Sequence, residues 1–532
     1  MQTVSESWKN AHKQTLLGES YVEVSLDIAD PDSLANAKSE DNGGAYISNG
    51  TKIADEVDAS VIPYGTLEQN SWLLDGSRKS IPESNYKDGS YIGDVLSNEE
   101  GVFNTKIPTI TIKFTEVFTK PIPGISITWG TAYNEYAAQF VVTAYNGETI
   151  VAQKEIIDNT SVTSIVTMDI INYDRITIQV LSWCLPNHRA RVAEIFVGWH
   201  KVYSKADLFS YSHSQKVDPI STSLPKMEIK FSIDNSDDTY NPYNLNGLAK
   251  YLFERQEVAV RYGLKLSDNT VEWIKGGKFY LSEWYAKQNG MTADFVARDL
   301  LEYMSDIYVE GSSYSPGSRS LYVIATRLLE RAHLPLTSDG KVRWVISESL
   351  LKHNSSAPLP ADSIANCLQL VANAGCCVLY QDRDGILHIE PITSETTDYA
   401  INQFNSYSKP ELTFSKQIKE VVVKAYVYSP SSEVDYIGST DFVTTVGEIG
   451  ETIVIDNPLI TNEARAKAVG EWIGNYLKNR MALKSSMRVD VRLDALDLIA
   501  NENDYGTNTM RVTDVEFQFN GAFHGTVEGR VI

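Results

Sequence analysis

The sequence predicts a mainly β protein of the α+β class, with several domains along its 532 residues. Because domains usually hold roughly 100 to 200 residues, a chain of this length is expected to form three or more cores. Its 29 Tyr and 9 Trp suit broad β-surfaces, where the rings pack and their polar ends stay wet. Many short segments also alternate apolar and polar residues, which is the period of a half-buried strand.

The amino-terminal region predicts a short helix over residues 5–14 and a strand over residues 21–28. The following stretch, residues 31–66, is rich in Asp, Asn, Ser and Gly and poor in large apolar side chains. This composition is typical of a linker or an exposed loop.

Residues 67–203 predict a β-sandwich, since segments such as TITIKFTEVF, GISITWG and RITIQVLSW follow one another with turns between them. The segment opens with NSWLLDGS (70–77) and closes with RVAEIFVG (191–198). On these residues it resembles the discoidin-like jelly-roll domains found in many carbohydrate-binding modules. The segment interrupts a larger β-domain, so we read it as an insertion whose two ends lie close together.

The loop LPNHR (185–189) is expected at the outer tip of this sandwich, where ligands are commonly bound. Its polar donors and a nearby indole ring could contact a sugar. The alternative is a solvated loop over a packed tryptophan. The candidate glycan-binding residues are Trp183, Asn187, His188 and Arg189.

Residues 225–306 contain several linked motifs in a fixed order: FSIDNSDDTYNP, then GLAKYL, then VAVRYG, then the hairpin WIKGGKFYLSEW. In this order they resemble the hub proteins at the tip of phage tails and phage-like particles. Two later blocks continue the resemblance: LPADSIANCLQLVANA with LYQDRDGILHI is similar to the middle domain of that family, and VIDNPLI with FNGAF is similar to its second barrel.

The resemblance implies a domain organisation. A first hub β-barrel would comprise residues 1–30 and 204–300, a small α+β domain residues 301–405, and a second hub β-barrel residues 406–532. It also implies a homotrimeric ring that closes the distal end of the tail tube. The implied partners are a distal tail protein or the tube end, a tape-measure protein, and fibre or receptor-binding proteins.

The remaining observations narrow the class of function. The formal charge of -22 and the lack of a dense Lys and Arg stretch argue against tight nucleic-acid binding, although an acidic wall suits a conduit for nucleic acid. Four cysteines occur without zinc-ligand spacing. No signal peptide or membrane-spanning run is evident, so we expect assembly in the host cytoplasm. The resemblance to hub proteins implies a location in the virion tail.

No catalytic motif stands out, and we predict neither enzyme activity nor a cofactor. The acidic turn that contains Asp234, Asn235, Asp237 and Asp238 lacks the glycine and closing glutamate of an EF-hand, so a self-bonded turn is favoured over calcium binding. Two other classes stay open: a surface or secreted carbohydrate-binding protein, and a glycoside hydrolase, for which no carboxylate pair is identifiable.

Overall fold

The computed structural model describes residues 1–14, 18–45, 47–54, 65–66, 68, 90–286, 290–305, 318–337, 341–392, 396–429 and 436–532. Across these ranges strands make up most of the regular structure, and six α-helices accompany them. The predicted fold class, α+β and mainly β, is confirmed. The segment NSWLLDGS, on which part of the discoidin-like resemblance depends, lies outside the described residues.

The amino-terminal part of the chain forms the first helix, the first strand and a two-sheet sandwich. In chain order these elements are α1 (Glu6–His12), β1 (Ser20–Ile28), α2 (Pro31–Asn36), β2 (Lys38–Asp41), β3 (Tyr91–Leu96), β4 (Thr109–Phe118), β5 (Ile122–Trp129), β6 (Ala137–Asn146), β7 (Thr149–Ile156), β8 (Thr163–Ile170), β9 (Tyr173–Trp183) and β10 (Arg189–Phe196).

The sandwich consists of one sheet ordered β3-β10-β5-β8 and another ordered β2-β4-β9-β6-β7. Both sheets pack around one core that includes Trp129, Phe140 and Tyr173. Part of the range predicted as a linker, residues 31–66, belongs to this unit, since β2 pairs with β4 from Lys38 to Asp41. The polar composition of β2 hid this strand, because it lies at the sheet edge and buries little besides Ser39.

A two-stranded stem joins the sandwich to the rest of the chain. Strand β11 (Trp199–Tyr203) pairs antiparallel with β1, and Ile28 lies opposite Trp199 in the register. The chain therefore leaves for the sandwich and returns from it at adjacent positions, as an insertion requires.

Gly198 lies where the stem meets the sandwich, and we expect Gly198→Ala to destabilise this junction by about 3 kcal/mol. Its φ of +137° is rarely adopted by other residues, and an added Cβ would lie 2.6 Å from the Ile28 carbonyl oxygen. Thermal unfolding of the full chain measures the effect. The matched control is Gly438→Ala, where a Cβ meets open space and the change should stay below about 0.5 kcal/mol. Equal effects of the two substitutions would contradict the assignment.

The remaining elements follow the stem. They are β12 (Leu208–Lys216), β13 (Lys226–Asp234), β14 (Glu257–Lys265), β15 (Val271–Ala286), β16 (Thr292–Arg298), α3 (Leu300–Ser305), β17 (Arg319–Ser320), α4 (Leu321–Ala332), β18 (Trp344–Ile346), β19 (Asn354–Ser355), α5 (Ile364–Ala374), β20 (Val378–Gln381), β21 (Leu387–Glu390), β22 (Thr396–Ile401), β23 (Glu411–Phe414), β24 (Ile418–Tyr428), β25 (Tyr436–Thr445), β26 (Glu451–Ile455), α6 (Glu463–Leu477), β27 (Met481–Met487), β28 (Leu498–Asn503), β29 (Gly506–Phe519) and β30 (Phe523–Val531).

One large sheet runs through the centre of the molecule. Its order in the described residues is β11-β1-β14-β15-β16-β13-β12-β29-β30-β27-β23, and β28 joins β22 to β29. The segments predicted as two separate barrels meet at the β12–β29 pair, from Tyr211 opposite Phe519 to Lys216 opposite Asp514. Both segments also contribute to one apolar core. We call the β12–β29 pair the seam.

A second core lies beside this sheet. It is built by α3, α4 and α5 together with β20 and β21, and it also includes α6 and the sheet β25-β24-β26. The packing therefore groups β24 to α6 with the helical unit, across the predicted boundary at residue 405. Arg383 connects the two regions, since its Nε lies 2.7 Å from Asp494 Oδ1 and its Nη1 donates to the Lys275 carbonyl oxygen at 2.8 Å.

Candidate functional site

The predicted glycan-binding loop follows β9 at one end of the sandwich. Trp183 is the last residue of β9, and its side chain is 2% exposed. Its Nε1 donates to Glu135 Oε2 at 2.8 Å. His188 is 1% exposed, and its Nδ1 lies 3.0 Å from Glu135 Oε1.

These positions correct the expectation of an exposed ring and an exposed imidazole at the tip. Both side chains are held inside the sandwich because Glu135 offers each of them a hydrogen-bonding partner there. Asn187 and Arg189 lie at the surface, partly exposed, and Arg189 Nη1 donates to the Gly93 carbonyl oxygen at 2.9 Å. Glycan binding at this loop stays a prediction, and it now depends on these two residues.

Arg191 organises a buried charge network beneath the loop. Its Nη2 lies 2.6 Å from Glu68 Oε1, and its Nη1 lies 3.0 Å from Glu135 Oε2. Burial lowers the pKa of Arg191, but the two carboxylates outweigh burial and raise it. The Tyr133 ring lies 4.3 Å from the guanidinium carbon, at cation–π distance.

The network can hold the tip loop in one conformation. Glu68 Oε2 accepts the backbone N–H of Arg189 at 3.0 Å, and the Ser97 N–H donates to the His188 carbonyl oxygen at 2.8 Å. Two carboxylates face an arginine and a histidine, so each buried charge has a partner of opposite sign or a hydrogen bond. The side chains of Glu68, Glu135, His188 and Arg191 are shielded from solvent, so the network supports loop shape rather than contact with a substrate.

The sequence did not reveal Glu68, Glu135 or Arg191 as partners. Arg191 is 56 residues from Glu135 along the chain, and no spacing pattern connects them. The one available signal was the presence of two charged residues, Arg191 and Glu194, in a strand, RVAEIFVG, that is otherwise apolar. Such a residue in a buried strand requires an ionic partner from elsewhere in the fold.

A large cleft is the second candidate site. It has a volume of about 840 Å³ and lies between the sandwich, the outer face of the large sheet and the helical unit. The sandwich contributes Phe196 and Leu34, the sheet contributes His200 and Lys278, and the helical unit contributes Leu336 among others.

Charged side chains of both signs line the cleft. Seven of them are Lys or Arg and four are carboxylates, and Arg261 and Arg383 are paired with Glu23 and Asp494 outside the lining. Glu257 lies between two other cations, 2.6 Å from Lys278 Nζ and 3.3 Å from Arg343 Nη2. Most of the charges in the cleft are therefore balanced within the chain.

Asp27 and His200 form a pair at the cleft wall, where β1 meets β11. His200 Nδ1 lies 2.7 Å from Asp27 Oδ1. Burial raises the pKa of Asp27, and the hydrogen bond with His200 offsets part of that rise. The pair stabilises the stem on the side that faces the cleft.

The acidic turn after β13 is self-bonded, as the sequence favoured. Asp234 Oδ1 accepts the Ser236 N–H at 3.0 Å, and Asn235 Oδ1 accepts the Tyr240 N–H at 2.8 Å. Among the described residues no cluster of three or more His, Cys, Asp or Glu side chains is arranged to hold a metal ion. None of the helices in the described ranges has the length and hydrophobicity needed to cross a bilayer.

No protein-family model and no curated protein matches the chain. Solved structures of tail proteins, in contrast, match part of the chain. The 43 kDa tail protein of prophage MuSo2 from Shewanella oneidensis matches with 13% identity and a TM-score of 0.41, over 62% of this chain and 95% of that protein.

Two further tail proteins match over a similar share of the chain. The tail protein from Neisseria meningitidis MC58 has 11% identity and a TM-score of 0.41, over 62% of this chain and 93% of that one. The prophage tail protein gp18 from Listeria monocytogenes EGD-e has 10% identity and a TM-score of 0.40, over 62% of this chain and 91% of that protein. All three of these solved structures are described as tail proteins.

Proposed function

We propose that this chain is a structural hub protein at the tip or baseplate of a phage tail or phage-like tail, and that three copies form a ring at the distal end of the tail tube. The ordered motifs of residues 225–306 and the two later blocks support the family. The large sheet supports the architecture, because it joins the two segments predicted as hub barrels at the seam.

The exposed edge of the large sheet is the observation that carries the ring. Strand β23 ends the sheet and is exposed along its whole length, with Phe414 65% and Leu412 48% exposed. Strand β25 similarly ends the sheet that packs on α6 and is mostly exposed. Open edges with apolar side chains promote uncontrolled association unless another surface covers them. Closed association of identical copies covers such edges without leaving a free end.

The acidic charge fits a role around a channel. With a net charge of -22 per copy, a ring of copies repels a passing polyanion rather than binding it. The inserted sandwich, attached through the narrow stem, would project from the rim. There it could contact host glycans or neighbouring tail proteins through the surface that includes Asn187 and Arg189.

The ring is tested with the purified full-length chain. We expect light scattering to give the mass of three copies and cryo-electron microscopy to show threefold particles. A strictly monomeric protein over the accessible concentration range would rule out the ring.

The role of the sandwich is tested separately on a glycan array with the full-length chain. Glycan binding by a chain that does not self-associate would favour the alternative, a carbohydrate-binding protein of the cell surface. Release of reducing ends from cell-wall material would instead indicate a glycoside hydrolase.

A further inference from the structure

The inserted sandwich has an apolar core of its own. Among the described residues, the core that includes Trp129 and Phe140 has no member in common with the core of the large sheet or with that of the helical unit. The chain passes between the sandwich and the large sheet through the paired strands of the stem. Units that are joined in this way, without a shared apolar core, change their relative orientation readily.

The stem meets the sandwich at strand β5. Ser126 Oγ donates to the Gly198 carbonyl oxygen at 3.2 Å and accepts the His200 N–H at 3.4 Å. At the other end of the junction, Gln256 Nε2 donates to the Ala29 carbonyl oxygen at 2.8 Å, which holds the end of the outgoing strand against the residue before β14. We call this junction, which comprises residues 29, 126 and 198, the pivot.

An exposed ion pair joins the sandwich to the loop between β13 and β14 on one side of the pivot. Asp169, near the end of β8, has its two carboxylate oxygens 3.1 and 3.3 Å from Lys250 Nζ. The side chains of Lys250 and Asp169 are 42% and 64% exposed. An ion pair with this exposure is weak, and salt screens it. We call this pair the latch.

The large cleft lies on the other side of the pivot. The sheet order β3-β10-β5-β8 places β8, which carries the latch, and β10, which contributes Phe196 to the cleft wall, on opposite sides of β5. A tilt of the sandwich into the cleft therefore draws Asp169 away from Lys250. The same tilt covers Leu336, which lines the facing wall and is 53% exposed, and burial of this apolar surface favours it.

We propose that the sandwich rocks about the pivot between two orientations, one with the latch formed and the cleft open, the other with the latch broken and the cleft closed. The ion pair stabilises the first orientation and apolar contact across the cleft stabilises the second. Both stabilising terms are small, so a change in charge or salt at the latch shifts the populations. Because the tip loop (185–189) moves with the sandwich, the rocking sets the direction in which this loop points. The inference rests on the packing within one chain and does not depend on the ring.

The test places a photo-crosslinking amino acid at position 336 of the full-length chain. We expect an intramolecular crosslink to a sandwich peptide that contains Leu34, Ala37 or Ala54, all of which line the cleft. Its yield should rise about threefold in Lys250→Glu, as expected from the loss of one exposed ion pair. Raising NaCl from about 0.05 M to about 0.5 M should increase the yield of the wild type as well. A mixture of isotopically light and heavy protein separates crosslinks within one chain from those between copies.

Two further variants make the test specific for the latch. The double variant Lys250→Glu, Asp169→Lys restores opposite charges and should return the yield to that of the wild type. Lys409→Glu breaks an exposed ion pair with Asp504, which does not involve the sandwich, and should leave the yield unchanged. A yield that responds neither to Lys250→Glu nor to salt overturns the rocking. The absence of any crosslink to the sandwich overturns it too, as does an increase in Lys250→Glu that the double variant fails to reverse.

Discussion

Glu135→Ala is expected to lower the free energy of unfolding of the inserted sandwich by about 3–5 kcal/mol. Glu135 is buried and accepts hydrogen bonds from Trp183 Nε1 at 2.8 Å and Arg191 Nη1 at 3.0 Å. It also pairs with His188 Nδ1 at 3.0 Å. The substitution leaves Trp183 Nε1 and His188 Nδ1 in the interior without this partner, and Arg191 keeps only one of its two buried carboxylates, Glu68.

Hydrogen exchange of peptides from β9 and β10 measures this effect within the full-length chain, because it reports the stability of the sandwich separately from the other cores. Glu135→Gln should fall between the wild type and Glu135→Ala, since the amide keeps an acceptor and loses the charge. Glu148→Ala is the control: Glu148 is almost fully exposed and lies 3.8 Å from Arg175, so its removal should change little. A cost for Glu135→Ala below about 1 kcal/mol would show that the network does not stabilise the loop.

Local structure was predictable where a segment carries its own signals. Strand β4 has the bounds of the segment TITIKFTEVF, whose first six residues alternate between polar and apolar side chains. Helix α4 begins after Ser320, a serine that precedes an apolar helical face, and Ser320 Oγ accepts the Val323 N–H at 3.3 Å. Helix α6 is bounded in the same way by Asn462, whose Oδ1 accepts the Arg465 N–H at 2.9 Å.

Contacts between distant segments were not predictable. Alternation shows which face of a strand is buried, but it does not show which strand lies beside it, and the seam between β12 and β29 joins residues about three hundred positions apart. The same limit applies to the buried network. Nothing in the sequence around Trp183 and His188, which lie next to and within a predicted loop, shows that their side chains are buried. Their burial depends on Glu135, which comes from a different part of the sandwich.

His213 is the clearest example of an overlooked polar residue in the core. It lies on β12 in the segment YSHSQ, where Tyr211, His213 and Gln215 alternate with serines and point inward. Its ring stacks on Phe517 across the seam, with centroids 4.9 Å apart and an angle of 8° between the planes. Its Nδ1 lies 3.0 Å from the Tyr262 hydroxyl. The seam therefore contains a titratable group whose protonation affects the large sheet.

The stability of the large sheet is expected to fall as the pH is lowered from 6.5 towards 3, and His213→Phe should remove this part of the loss. Burial lowers the pKa of His213 to about 3, with Arg383 contributing and Asp494 opposing. In the unfolded chain the pKa is near 6.5, so between these values the unfolded state binds the extra proton. Stability from this residue is fully present above pH 6.5 and is lost as the pH falls. At pH 4 the loss amounts to about 3 kcal/mol.

The wild type should therefore be more stable than His213→Phe at neutral pH and less stable at acidic pH. At pH 7 the variant should be about 1 kcal/mol less stable than the wild type, because it loses the hydrogen bond to Tyr262. The loss stays small because the Tyr262 hydroxyl keeps its partner Tyr211 at 2.6 Å. The phenylalanine ring can also still stack on Phe517. At pH 4 the variant should be the more stable by about 2 kcal/mol. Urea midpoints at one protein concentration measure both differences, and His524→Phe, at the partly exposed start of β30, should follow the wild type. Parallel pH profiles for the wild type and His213→Phe would mean that His213 does not control the acid stability of the seam.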